Sequence, residues 1–246
     1  MVTSERRVVP VPGGGLALVL HLPDAPVPSP CVVACHGLHA SKDSDKYLLL
    51  GAELPAAGLA LARFDFRGCG ESTGREEETT VASRIDDVEA VVAHLAEHPG
   101  LDGRFGLLGS SLGGFVALFA ARRRPWTPVV TWNAPASLTE LANDDREDGR
   151  NLGLAFALEY MTGRYALAPK GVPRHLVVQG EADDVVPVEH GVQLHAQAAE
   201  PCDLHIIPAA DHRLTDPDHR RQAVERSRDW LLRFLVPGLS PELPSA

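Results

Sequence analysis

The residues best suited to chemistry stand in Gly109-Ser110-Ser111-Leu112-Gly113, inside the apolar stretch from Arg104 to Phe119. This fits the G-x-S-x-G pattern, in which a serine hydroxyl is held on a tight strand-to-helix turn within reach of a substrate. Glycine on either side lets backbone approach backbone where a Cβ would clash. Phe105 to Leu108 are short and apolar enough for a buried strand, while Leu112, Phe115, Val116, Leu118 and Phe119 recur at helical spacing. The same pattern occurs at Gly70-Glu71-Ser72-Thr73-Gly74, but Ser72 runs into Arg75-Glu76-Glu77-Glu78, which cannot form the buried helix such a turn must feed. Ser111 is therefore the candidate nucleophile, and Ser110 is expected to point away.

A serine at its free pKa attacks poorly, so it needs a histidine base and a carboxylate that orients the histidine. Asp183 and Asp184 both lie just past the strand-like run Leu176-Val177-Val178-Gln179, and either could be that acid. Among 11 histidines, position selects one. His94, His98, His190 and His195 fall in predicted helices, His205 inside a predicted strand, and His219 in the final helix. His212 follows the last strand in a loop and is the expected base. His36 and His39 lack matching third and fourth ligands, so no metal site is expected.

Those residues need a scaffold. Residues 5–10 and 16–22 flank Pro12-Gly13-Gly14-Gly15 and read as an antiparallel hairpin. Further strands are predicted at 31–35, 59–66, 105–108, 129–132, 174–179 and 203–207, with helices at about 44–57, 81–97, 112–124, 188–199 and 217–235. Strands alternating with helices predict a mostly parallel eight-stranded α/β sheet covered by helices on both faces. The segment 134–170 is too long for a simple crossover. It carries a charge run at 143–150 and then Leu152, Leu154, Phe156, Leu158, Tyr160, Met161 and Tyr165, and is expected to be a small helical lid within a single domain spanning 1–246.

Composition narrows the possibilities further. A hydrophobic content of 44% over 246 residues supports one sizeable core, and a formal net charge of −10 argues against a nucleic-acid partner. The N-terminus lacks an apolar segment of about 7–15 residues before a cleavage site, and no run approaches the ~18 residues of a membrane span. A cytoplasmic protein with no membrane partner is the expectation. Cys31, Cys35, Cys69 and Cys202 show no C-x-x-C spacing and are expected to be free thiols.

Together, His36-Gly37, Asp65-Phe66-Arg67-Gly68-Cys69-Gly70-Glu71-Ser72, Gly109-Ser110-Ser111-Leu112-Gly113, Gly180-Glu181-Ala182-Asp183-Asp184-Val185-Val186-Pro187 and Asp211-His212 resemble the α/β-hydrolase superfamily. The nearest likeness is to small, short-lid bacterial esterases of the feruloyl-esterase and serine-aminopeptidase-like groups. The resemblance runs from about residue 5 to residue 235. It implies Asp183 as the acid, with Asp184 second. It also implies an oxyanion hole from the backbone N–H groups of Leu38 and Leu112, a bracing role for His36, and a structural role for Asp65, Arg67 and Ser72. Cys69 stands where many relatives carry histidine.

The expected activity is serine hydrolysis of a carboxylic ester through an acyl-enzyme, with no cofactor. Thioester or amide hydrolysis, acyl transfer and a non-catalytic ligand-binding role are the alternatives. Trp132, Phe156, Tyr160, Met161 and Tyr165 are candidate lining for an apolar or aromatic acyl pocket. The expected partner is a small-molecule ester, and a homodimer is left open.

Overall fold

A computed structural model describes residues 3–25, 27–124, 127–139, 153–236 and 238. A hairpin of β1 (Thr3–Val11) and β2 (Gly14–Leu22) leads into β3 (Ser29–Cys35), whose seven residues are all buried. From there strands and helices alternate: α1 (Asp45–Ala56), β4 (Ala60–Phe64), α2 (Val81–Ala96), β5 (Leu101–Ser110), α3 (Leu112–Arg123) and β6 (Val129–Trp132). After an excursion containing α4 (Leu154–Met161) come β7 (His175–Gly180), α5 (Val188–Gln197), β8 (Cys202–Ile207) and α6 (Pro217–Leu235). The eight strands form one sheet in the order β1-β2-β4-β3-β5-β6-β7-β8. β1 and β2 run antiparallel, as does the β2–β4 pairing, and every neighbouring pair from β4 and β3 through to β8 is parallel.

Strand alternation sends side chains to two separate cores. On one face Val33, Leu107 and Val129 pack with Val88, Val91 and Val92 of α2 and Phe115 and Leu118 of α3. On the other face Val32, Leu108, Val130 and Trp132 pack with Leu50 and Leu54 of α1 and Leu231 and Leu235 of α6. Helix ends follow their local chemistry. Thr80 and Ser83 form a reciprocal capping box at the start of α2, and Asp216 caps α6 ahead of Pro217. Two main-chain donors of α2 are taken from farther off: Val81 N–H and Ala82 N–H donate to the Glu159 carboxylate at 2.6 and 3.0 Å, fastening α4 to the start of α2.

Element types match the sequence reading, and among the boundaries that shift, two bear on residues singled out above. β5 begins at Leu101, earlier than the apolar pattern indicated, because its first residues include the exposed Asp102, Gly103 and Arg104. α2 ends at Ala96, so His98 lies beyond it, buried, with Nε2 3.3 Å from Glu5 Oε2. All four cysteines are free. Residues 140–152 of the expected lid lie outside the described residues. No described helix is long and apolar enough to cross a membrane.

Candidate active site

Parallel strands share one C-terminal edge, and the singled-out residues gather there. Ser111 sits between β5 and α3 with φ 55° and ψ −130°, a conformation costly for a residue with a Cβ. The turn is possible because its neighbours are glycine. A Cβ on Gly109 would lie 2.3 Å from the Gly113 carbonyl oxygen, and one on Gly113 would lie 2.2 Å from that of Cys35. Ser111 N–H donates to the Trp132 carbonyl at 2.9 Å, tying the turn to the end of β6. Ser110 faces the other way, its Oγ accepting from Lys46 Nζ at 2.7 Å.

The loop after β3 presses on this turn. A Cβ at Gly37 would stand 3.0 Å from Ser111 Cβ, so the chain passes against the serine's turn just before Leu38. The N–H of Leu38 and that of Leu112, the first residue of α3, are the two candidate oxyanion donors; leading helical N–H groups have no partner within their own helix. His36 holds the loop in place. Phe66 N–H donates to its Nε2 at 3.0 Å, which leaves Nδ1 to donate to the Gly37 carbonyl at 2.7 Å. Burial, aided by the Arg84 cation, pushes His36 down to about 4, so it is a neutral brace.

Asp183 and His212 form the other half. Asp183 Oδ1 accepts from the N–H groups of Val185 and Val186 at 2.9 and 2.7 Å, and Oδ2 stands 2.8 Å from His212 Nδ1 and 3.4 Å from Gln179 Nε2. Both carboxylate oxygens are thus engaged, and the imidazole is oriented with Nε2 left for another partner. Among the described residues, no hydrogen bond joins Ser111 Oγ to His212. Base–nucleophile contacts commonly tighten only when substrate binds.

Lys46 of α1 reaches Ser110, the residue before the nucleophile candidate. Burial drives its ammonium down to about 8, helped by Arg213 and Arg220 and opposed by Asp183 and Asp211. A different set of charges supports the loop after β4. Lys42 Nζ contacts Asp65 at 2.8 Å, Glu71 at 2.6 Å and Asp43 at 3.0 Å, while Arg67 pairs with the buried Asp87. Burial works against the Lys42 ammonium, but hydrogen bonds to Asp65, Glu71 and Asp43 raise it overall.

The residues expected to line an acyl pocket are scattered. Trp132 is fully buried on the opposite face of the sheet, its indole N–H donating to Ser227 Oγ at 2.8 Å; this corrects its assignment as pocket lining. Phe156 and Tyr165 are core residues, Tyr165 packing edge-on against Phe119 at 5.0 Å. Tyr160 packs partly against that core, while Met161 is 79% exposed. A polar cavity of about 350 Å³ instead opens beside the loop after β3, lined by His39, Ser41, Ser44, Cys69 and Glu76. Two of its lining residues are joined, His39 N–H donating to Glu76 Oε1 at 3.0 Å. Sequence reasoning missed it because its walls come from two loops whose side chains carry no periodic signal.

With this geometry in hand, the relatives are informative. The family described as "Serine aminopeptidase, S33" matches residues 26–144. Est1E from Butyrivibrio proteoclasticus, solved with ferulic acid bound, superposes with a TM-score of 0.82 at 23% identity, covering 93% of this chain and 98% of that one. The chain has the α/β-hydrolase fold. The chain is also 30% identical over 192 residues to an uncharacterized protein of Mycobacterium tuberculosis, a match covering 77% of this chain and 64%, less than two thirds, of the relative's length. A shorter match, 36% identical over 102 residues, covers 42% of this chain and 32% of mitochondrial palmitoyl-protein thioesterase ABHD10 from Bos taurus.

Proposed function

We propose that the protein is a serine carboxylesterase. In this reading Ser111 Oγ attacks the acyl carbon while His212 Nε2 takes its proton, and Asp183 stabilises the imidazolium. The negative charge of the tetrahedral intermediate falls on one oxygen, met by the N–H groups of Leu38 and Leu112, which are fixed by strand ends and need no reorganisation. Collapse breaks the ester C–O bond, with His212 returning the proton to the departing alcohol. Water, deprotonated by the same imidazole, then releases the acid and restores Ser111.

The observation that carries this reading is the strained φ of Ser111 at a strand-to-helix turn, on the same sheet edge as an Asp183–His212 pair at 2.8 Å. The described part of the expected lid, 153–170 with α4, is proposed to lie over that edge. The test is turnover of a panel of p-nitrophenyl esters, varied in chain length and in aryl or hydroxylated acyl groups, by wild type, Ser111→Ala and His212→Ala. Undiminished turnover in both variants sinks the proposal. A thioester reading is favoured by one observation, the similarity to ABHD10, and acyl-thioester substrates in the same panel decide it.

A further inference from the structure

The proposed mechanism requires His212 to stay in register with Ser111, yet the two lie on loops separated along the sheet by β6 and β7. Asn133, the residue after β6, bridges the gap. Its Nδ2 donates to the carbonyls of His212 at 2.8 Å and Asp211 at 3.2 Å, and its Oδ1 accepts from Gly180 N–H at 2.8 Å. The preceding residue, Trp132, is the one whose carbonyl holds Ser111 N–H at 2.9 Å. One buried amide thus joins the acid's strand end to the histidine's backbone, and the residue before it in the chain holds the nucleophile's N–H.

We infer that Asn133 is a positioning residue, its side-chain amide setting the distance between the His212 loop and the Ser111 turn. This rests on the esterase reading and adds a residue to it.

The chemistry of the site selects asparagine. Three contacts to backbone groups require two donors and an acceptor on one short planar group, which asparagine has and aspartate, serine and leucine lack. Asn133 is 1% exposed and has φ 51°, a left-handed conformation that asparagine tolerates better than most side chains. The Asp183 contact fixes the imidazole at Nδ1, but a ring held at one end can still swing. Holding the backbone oxygen of the same residue supplies the second point. Other bonds tie the histidine loop elsewhere: Ala182 N–H donates to the Ala210 carbonyl at 3.0 Å, and Thr215 N–H to Asp211 at 2.8 Å. Those bonds hold the loop to the acid side and to itself, whereas Asn133 holds it toward the nucleophile.

The bland alternative is that Asn133 only satisfies buried polar groups, and two variants separate the readings. Asn133→Gly adopts the positive φ freely and removes all three contacts. Asn133→Asp keeps the acceptor for Gly180 but loses the donations to the two carbonyls, and it serves should the glycine variant fail to fold. Each is compared with wild type for kcat and KM on a short p-nitrophenyl ester, for the rate of labelling by a fluorophosphonate probe, and for the downfield Nδ1–H proton of His212 by NMR. A misplacement of about 1 Å can cost on the order of 10²-fold, so kcat and labelling are expected to fall by that order with KM little changed. The His212 proton resonance is expected to broaden or vanish. A folded variant with wild-type kcat and an unchanged resonance overturns the inference. A wild-type protein that neither hydrolyses nor labels removes the esterase reading instead, and the proton resonance then decides the positioning role without turnover.

Discussion

Two stretches of this chain share one five-residue pattern and fold to opposite ends. At Gly109–Gly113 the serine has φ 55°, follows a ten-residue strand whose last five residues are buried and opens a twelve-residue helix. At Gly70–Gly74 the serine lies in an irregular loop that leads only to a short 3₁₀ turn at Glu76–Glu78. The hydroxyls differ accordingly. Ser72 Oγ donates to the Asp65 carbonyl at 2.6 Å and accepts Ala17 N–H at 2.8 Å, so it is occupied as a staple between the loop and β2. Ser111 Oγ has no such obligation among the described residues. A G-x-S-x-G pattern is therefore a statement about glycine placement; the next ten residues decide whether its serine is free to react.

The largest expected contrast between the two is catalytic. Ser111→Ala is expected to lower kcat by about 10⁴–10⁶-fold on any ester that the wild type turns over, measured at saturating substrate. Next comes the glycine scaffold. Gly113→Ala would drive a Cβ to 2.2 and 2.4 Å from the backbone oxygens of Cys35 and His36, neither of which can rotate away. A loss of about 3 kcal/mol or more in denaturant-derived stability is expected. If Gly113→Ala keeps wild-type stability, the tight packing that distinguishes the first pattern is not what holds it.

The triad candidates and the fold were legible because apolar periodicity marks buried strands and helices, and the chemistry follows strand ends. Ser111 and His212 needed only that ordering, whereas Asp183 was separated from Asp184 by the resemblance. Trp132 was misread for a physical reason. Strand side chains alternate between faces, and Val130 and Trp132 share the face covered by α1 and α6, while α4 lies on the other. Period two was visible in the sequence, but which face would carry α4 was not. Asn133, Lys46 and the His39–Glu76 cavity were illegible because their partners are backbone carbonyls or residues on distant loops.

His36 connects the two regions, and pH exposes how. Its Nε2 accepts from Phe66 on the Ser72 side while its Nδ1 braces the loop against Ser111. Its folded-state value of about 4 lies below the ordinary 6.5, so the stabilisation it lends is complete above about 6.5 and is lost as pH falls through about 4. Each tenfold drop in proton affinity on folding is worth about 1.4 kcal/mol, so the loss amounts to a few kcal/mol. Denaturation midpoints between pH 7 and pH 4 are expected to fall steeply in wild type and less steeply in His36→Gln. Some slope remains in the variant, because burial also pushes His175 down to about 3. Equal slopes in the two proteins would show that the brace does not feel the protonation of His36.

The smallest effect expected is the one most specific to the comparison. Ser72→Ala deletes both bonds of the staple and leaves Ala17 N–H and the Asp65 carbonyl to find water. Because the site is only partly buried, the cost is expected near the lower end of the usual range for orphaned groups, about 1–2 kcal/mol in denaturant-derived stability. The chemistry should be untouched, with kcat on the best ester matching wild type. Two other results are informative. A kcat loss as large as that of Ser111→Ala would make the second serine part of the reaction, and the distinction drawn from the helix that follows would fail. No loss of stability would mean that the staple bonds are replaced by water at no cost, leaving Lys42 and the carboxylates of Asp65 and Glu71 to hold the loop.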